Sequence, residues 1–345
     1  MTNKITPSKS ETKLTKEDFT TDQEPRWCVG CGDYAVLSQV RKVLPELGIP
    51  RENYVFVAGI GCSSRFPYYM DTYGFHSIHG RALPIASGIK INNPELSVWV
   101  VTGDGDAMSM GGNHFIHFFR RNLDINVIMF NNQIYGLTKG QYSPTSEVGK
   151  ITSTSPQGSI DRPINPVELA LASGATFIAR TLDRDQLHMA EMFKKAAAHK
   201  GSSFIEVYQN CNIFNDGAFF HLTEKDVKDN NVLYLRDQEP LLFGKDNKKT
   251  IRFNGLNPEV INLSEGVNMG DVQIFQENQE SSTLAFNLAQ MTYNPDFPTP
   301  VGIFLRQEMN LYEQVLQSQV DEEMDKKDNL SLEDLLHSGN TWQVE

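Results

Sequence analysis

Two apolar runs in the first half of this 345-residue chain decide what it can fold into. Val98–Thr102 leads into Gly103-Asp104-Gly105-Asp106, and Ile125–Phe130 leads into Asn131-Asn132-Gln133-Ile134. Neither run alternates apolar with polar residues, which is the pattern of strands covered on both faces. Asp104 and Asn132 are 28 residues apart, enough for a strand-end turn, a crossover helix over Asn113–Arg121 and the next strand. That arrangement makes the two strands parallel neighbours and brings both polar turns to one edge of a sheet. The same alternation continues on either side. A strand is expected at Tyr54–Ala58 between helices at Ala35–Leu44 and Leu83–Ile91. Helix, strand, helix and strand then follow at Pro166–Ser173, Thr176–Ala179, Arg184–His199 and Ser203–Tyr208. The expected class is therefore α/β, a doubly wound and mostly parallel sheet, whose ligands bind beyond the carboxyl ends of the strands.

Around this unit, residues 1–25 read as a polar arm and 26–215 as the main domain. Residues 216–250 read as a loop or linker with an excursion at Val232–Leu235, and 251–345 as a C-terminal extension. The extension is expected to hold a strand-like piece at Val272–Phe275, a helix over Ser282–Met291, an amphipathic helix over Asn310–Asp325 and a fraying acidic end. Lys and Arg number 31 against 43 Asp and Glu, for a net charge of −12, a poor match to nucleic acid or an anionic membrane. No apolar run reaches the roughly 18 residues of a spanning helix, and the N-terminus has no secretory apolar core, so a cytoplasmic protein is expected.

Asp104, the Asn132 amide oxygen and a backbone carbonyl near Ile134 are hard oxygen ligands suited to Mg²⁺, which completes its octahedron with water and phosphate oxygens. Gly103 and Gly105 let backbone approach a diphosphate, and the helix N-terminus that follows adds N–H donors. The chain has four cysteines: Cys28 and Cys31 in one Cys-x-x-Cys, and Cys62 and Cys211 after strands. In a reducing compartment this pattern points to metal or redox chemistry, and the spacing leaves structural zinc and an iron–sulfur cluster both open.

Gly103-Asp104-Gly105 with Asn131-Asn132 resembles the thiamine-diphosphate (TPP) motif. Three further strings narrow the resemblance: Gly61-Cys62-Ser63-Ser64-Arg65, Tyr73 through Arg81, and Tyr135 through Thr145. They resemble the β subunit of 2-oxoacid:ferredoxin oxidoreductases, most closely the 2-oxoglutarate branch. The likeness is strong over 26–215 and weaker over 251–315, where Phe297–Phe304 fits a family end motif. It implies a [4Fe–4S] cluster on Cys28, Cys31, Cys62 and Cys211, and Mg²⁺ on Asp104, Asn132 and the Ile134 carbonyl. It implies diphosphate contacts from Gly103, Gly105, Asp106 and the Thr138–Lys139 loop, with Gly61, Cys62 and Ser63 bordering the thiazolium ring. His79 and Arg81 would face the cavity or serve as structural ion-pair or capping groups. Lys139 would pair with the distal carboxylate of 2-oxoglutarate, the alternative being a solvated loop lysine.

The implied reaction is oxidative decarboxylation of a 2-oxoacid with coenzyme A, yielding succinyl-CoA from 2-oxoglutarate, with electrons leaving through the cluster to ferredoxin. TPP enzymes place the activating glutamate on a second domain, so an α subunit is expected to supply it. Pyruvate and branched-chain 2-oxoacids are alternative substrates. Two further alternatives are a non-redox TPP carboligase or decarboxylase with structural zinc, and a non-catalytic electron-transfer subunit that lacks TPP. The intact Asp104 and Asn132 argue against the latter.

Overall fold

The computed structural model describes residues 13–263, 272–326, 331–342 and 344. Its strands are β1 Tyr54–Ala58, β2 Tyr73–His76, β3 Ser97–Gly103, β4 Ile125–Asn131, β5 Phe177–Leu182, β6 Ser203–Tyr208, β7 Val232–Leu235, β8 Leu242–Phe243, β9 Lys249–Asn254, β10 Asn257–Asn262 and β11 Thr299–Arg306. Eight of them form one sheet in the order β2-β1-β3-β4-β6-β5-β11-β7, and β8, β9 and β10 form a small second sheet. All pairings in the large sheet are parallel except β11 against β5.

The helices are α1 Asp33–Val43, α2 Phe66–Tyr69, α3 Ala82–Asn92, α4 Gly112–Phe119, α5 Pro166–Ala172, α6 Gln186–Ala198, α7 Phe220–Thr223, α8 Lys225–Asn231, α9 Thr283–Gln290, α10 Tyr312–Lys326 and α11 Leu332–Leu336. Successive strand residues point to opposite faces, and both faces are covered. Val55, Val57, Val98, Val100, Ile125 and Val127 pack with residues of α3, α4, α5 and α9. Tyr54, Phe56, Trp99, Val101, Ile128 and Phe130 pack with α1 and α6. This three-layer burial is why the strand sequences carry no polar alternation. The helix starts follow local chemistry. Asn165 caps α5 by accepting from Val167 N and Glu168 N with Pro166 in the first turn, and Asp185 caps α6 by accepting from His188 N.

The structure departs from the sequence expectations in four places. The Tyr73–Arg81 string, given no element from the sequence, contains β2, an exposed strand at the sheet edge that offers no burial pattern to read. Residues 216–250, expected as a loop or linker, hold α7, α8 and β7, and β7 closes the large sheet beside β11. Val272–Phe275 forms no strand; it makes one isolated bridge, Ile274 with Pro240. The β9–β10 hairpin was not expected, because Lys249–Asn262 mixes charged and amide residues into strands that are only partly buried. The Phe297–Phe304 string holds most of β11, inserted between β5 and β7. At Gly302 (φ 117°) a Cβ would meet the Leu235 carbonyl oxygen at 2.6 Å, so the close pairing with β7 requires glycine. Among the described residues, no helix is long and apolar enough to cross a membrane.

Candidate active site

Adjacent parallel strands β1, β3, β4 and β6 end on the same edge of the sheet. Their carboxyl-end turns supply Gly59–Cys62, Gly103–Asp106, Asn131–Tyr135 and Gln209–Cys211. Two cavities meet there. The first is lined by Asp33, Gly61, Cys62, Ser63, His79, Gly103, Asp104, Gly105, Asp106, Asn132, Ile134 and Thr138, among others. The second, of about 210 Å³, is lined by all four cysteines together with Arg26, Trp27, Arg65, Lys139 and Gln209, among others. Cys62, Asn132, Gly136 and Leu137 line both.

In the first cavity the Asp104 carboxylate is buried, and Ser143 Oγ and Thr145 Oγ1 each donate to its Oδ2 at 2.6 Å. Burial pushes this carboxyl up to about 6, while the two hydroxyls pull the other way. Thr145 Oγ1 also lies 3.0 Å from Asn131 Oδ1. Asn131 donates to Glu206 Oε1 at 2.7 Å, and Glu206 Oε2 accepts from Arg180 Nε at 2.6 Å, all within the sheet. The 131–134 turn closes on itself: Asn131 Oδ1 accepts from Gln133 N and Asn132 Oδ1 from Ile134 N, both at 3.2 Å. These Asx bonds support Gln133 at φ 56°, an unfavourable region for a residue with a Cβ.

Asp106 serves the structure. Its Oδ1 accepts from Ile60 N at 3.0 Å and Gly80 N at 2.7 Å, and its Oδ2 accepts from Thr102 Oγ1 at 2.7 Å. It thereby ties the turns after β1 and β2 to the turn after β3. His79 Nδ1 stands 2.9 Å from Asp106 Oδ1 but out of line for a hydrogen bond, so His79 reaches the cavity wall as a structural neighbour of Asp106. Arg81 lines neither cavity; it reaches the Met110 carbonyl at 3.3 Å beside the start of α3. Gly105 packs directly under the Tyr135 ring, where a Cβ would overlap the ring, and its carbonyl accepts from Tyr135 Oη at 3.1 Å. Thr138 borders the first cavity and Lys139 the second, across a tight turn in which Lys139 has φ 76°.

The thiols sit in the second cavity. Burial raises Cys31 and Cys211 and pushes Cys62 up to about 12, so a group that takes them as thiolates must repay that desolvation. Gly136 sits between two of the sulfurs: a Cβ there would lie 3.4 Å from Cys211 Sγ and 3.7 Å from Cys62 Sγ. Among the described residues, no three His, Cys, Asp or Glu side chains are close enough to hold one metal ion. Tetrahedral zinc at ordinary Zn–S lengths would bring the sulfurs to about 3.8 Å from one another. The thiols instead line a cavity of about 210 Å³ that they share with Arg26, Trp27, Arg65 and Gln209, among others.

Several residues of the site carry no motif of their own. Ser143 and Thr145 lie inside a recognisable string but bear no separate signal. Gln209 lines the second cavity and holds a residue that lines both: its Oε1 accepts from Asn132 Nδ2 at 2.9 Å and its Nε2 donates to Cys31 Sγ at 3.4 Å. Asp33 lines the first cavity, buried at the start of α1 with neither oxygen hydrogen-bonded, and burial and then Asp183 push it up to about 7. The Gly32-Asp33 pair that follows Cys31 was the available sequence signal for it.

A mostly parallel sheet with a cavity at its carboxyl edge is the doubly wound class of ligand-binding fold, and residues 59–207 match the family described as thiamine pyrophosphate enzyme, C-terminal TPP binding domain. The chain is 47% identical over 331 residues to the 2-oxoglutarate oxidoreductase subunit KorB of Mycobacterium tuberculosis, covering 95% of this chain and 88% of that one. It is 39% identical over 266 residues to the 2-oxoacid:ferredoxin oxidoreductase subunit beta of Saccharolobus solfataricus, covering 76% and 85%. Its fold matches a 2-oxoglutarate:ferredoxin oxidoreductase from Magnetococcus marinus, solved with 2-oxoglutarate, coenzyme A and succinyl-CoA bound, with a TM-score of 0.74 at 28% identity over 95% of this chain and 97% of that one. The chain belongs to the β subunits of the 2-oxoacid:ferredoxin oxidoreductases, and so is one part of a multi-subunit oxidoreductase.

Proposed function

We propose that this β subunit, with an α subunit, oxidatively decarboxylates 2-oxoglutarate in the presence of coenzyme A, giving succinyl-CoA and CO₂ and passing two electrons through a [4Fe–4S] cluster to ferredoxin. The observation that carries the reading is the shared wall of the two cavities, in which Cys62, Asn132, Gly136 and Leu137 border both the aspartate site and the thiol site. TPP supplies the electron sink that lets CO₂ leave, and the cluster supplies the one-electron acceptor.

The chain's own residues fit those groups. Asp104 offers a buried carboxylate braced on one oxygen by two hydroxyls, which suits a divalent cation. The Asn132 side chain and the Ile134 carbonyl would complete the protein's share of the Mg²⁺ ligands. Gly103 and Gly105 border the cavity where a diphosphate would lie, Gly105 leaving room for the Tyr135 ring, with Asp106 bracing the turn from behind. Ser63 Oγ is buried without a partner beside the same cavity, ready to bond a bound group. Cys28, Cys31, Cys62 and Cys211 would hold the cluster as thiolates. Among the described residues lining the first cavity there is no glutamate, which supports an activating glutamate from the α subunit. Lys139, at the rim, would set substrate choice by pairing with the distal carboxylate.

The test is anaerobic isolation with the partner subunit, analysis for iron, sulfide, Mg²⁺ and TPP, and an assay of 2-oxoacid-dependent viologen reduction with and without coenzyme A. The reading expects a brown protein reduced fastest by 2-oxoglutarate. A colourless zinc protein would overturn it in favour of the non-redox alternative, and faster turnover of pyruvate or a branched-chain acid would overturn the substrate assignment.

A further inference from the structure

Four groups at the wall between the cavities form a hydrogen-bond chain whose direction is fixed at both ends. Ile134 N, which can only donate, gives its proton to Asn132 Oδ1 at 3.2 Å. Asn132 Nδ2 donates to Gln209 Oε1 at 2.9 Å. Gln209 Nε2 donates to the Asn210 carbonyl, which can only accept, at 2.6 Å, and to Cys31 Sγ at 3.4 Å. Turning either amide over would set donor against donor at Ile134 or acceptor against acceptor at Asn210, so the orientation is unique. Gln209 is 1% exposed, so water cannot compete for these bonds. Among the described residues it is the one side chain that donates to any of the four sulfurs.

Resting on the cluster reading proposed above, we infer that Gln209 is a positioning residue that sets the reduction potential of the cluster through its N–H···S bond to Cys31 and links that sulfur to the metal-binding turn at Asn132. Reduction adds one electron to the cluster and raises the negative charge on its sulfurs. A fixed, buried N–H donor stabilises that more negative state and raises the potential. The other end of the same amide holds Asn132, so one side chain fixes a wall residue of each cofactor site.

The experiment uses the enzyme isolated anaerobically with its partner subunit, as wild type, Gln209→Leu and Gln209→Glu. Iron content, thermal midpoint and the EPR-monitored midpoint potential are measured on each. Both variants lose the donor, so the inference expects a lower potential in each with iron content unchanged. The expected size is up to about tenfold in the reduced-to-oxidised ratio, which is about 59 mV for one electron. A purely packing role would shift the thermal midpoint and leave the potential in place. An unchanged potential in an iron-loaded variant overturns the inference, as does loss of iron from both variants. If the wild type itself holds no iron–sulfur cluster, the proposed function falls and this inference with it.

Discussion

Replacing Thr145 with Val tests the aspartate site with minimal change of shape. The side chain is fully buried, and its hydroxyl lies 2.6 Å from Asp104 Oδ2 and 3.0 Å from Asn131 Oδ1. The hydroxyl has one proton, and Asn131 Oδ1 already accepts from Gln133 N, so the proton goes to the nearer, charged acceptor. A hydrogen bond to a charged group contributes about 1.5–3 kcal/mol. Ser143 still braces the same oxygen, so the loss falls at the lower end, about 1.5–2 kcal/mol. At 1.4 kcal/mol per tenfold, that converts to roughly 10–30-fold in the Mg²⁺ concentration for half-maximal TPP binding, inside the 10–100-fold range for outer-shell partners of metal ligands. Calorimetry or tryptophan fluorescence on the isolated complex reads this directly. Thr145→Ser should restore most of the affinity. Thr176→Val is the control, because it removes an equally buried hydroxyl, bonded to Asn122 Oδ1 at 2.7 Å, from the opposite end of the sheet. It should lower the thermal midpoint without changing the Mg²⁺ requirement. An unchanged Mg²⁺ requirement in Thr145→Val, or equal shifts in both variants, would refute the reasoning.

Other outcomes follow from the same geometry. Gly105→Ala should abolish TPP binding in a titration while the apo chain still folds, because the added Cβ drives into the Tyr135 ring; retained binding would show that the ring can move aside. Lys139→Ala should raise the KM for 2-oxoglutarate far more than that for pyruvate, and equal effects on both would remove it from substrate choice. Burial lowers His199 to about 4, against an ordinary value near 6.5, so the unfolded chain takes up its proton first as pH falls. Its contribution is intact above about pH 6.5 and is lost as pH falls toward 4, on the order of 3 kcal/mol at most. Urea titrations of His199→Gln should show a flatter loss of stability across that window, and a slope identical to wild type would assign the acid sensitivity elsewhere.

The parts of the fold legible in the sequence were those where one cause acts. Strands β1, β3, β4 and β6 are buried on both faces and announce themselves as mainly apolar runs without polar alternation, and the turns after β1, β3 and β4 carry the Gly-Cys-Ser-Ser, Gly-Asp-Gly and Asn-Asn strings. β2 is hidden because every residue in it is exposed; the excursion at Val232–Leu235 is visible, but its place in the large sheet is not, because it depends on pairing with β11, some 65 residues later. Within the site, sequence signals favoured residues with distinctive chemistry. Asp104, Asn132 and the cysteines were singled out, and the structure brings them to one edge. Asp106 carries the same local signal as Asp104, yet its carboxylate is consumed by Ile60, Gly80 and Thr102. Only three-dimensional packing distinguishes the two. Arg81 sits close to a cavity residue in sequence but lines neither cavity; following Gly80 (φ 70°), it stands at the start of α3 and reaches the Met110 carbonyl, in keeping with the structural alternative.

The position of β11 explains how the C-terminal third bears on the site. Arg180 on β5 donates to the Pro300 carbonyl on β11 at 3.2 Å and to Thr292 Oγ1 at 2.8 Å, while its Nε holds Glu206. Glu206 orients Asn131, and Asn131 Oδ1 meets the Thr145 hydroxyl that braces Asp104. Every charged or amide group along that line is buried, and breaking a buried ion pair by removing one partner costs about 3–5 kcal/mol. The charge of Arg180 is thus balanced inside the sheet, with Nη1 bonded to residues 292 and 300 while Nη2 is buried without a partner. Truncating the chain before Thr292 would strip both acceptors from a guanidinium that has no access to water. The C-terminal extension is therefore a structural part of the cofactor-binding sheet, and its loss should be felt at Asp104 four strands away.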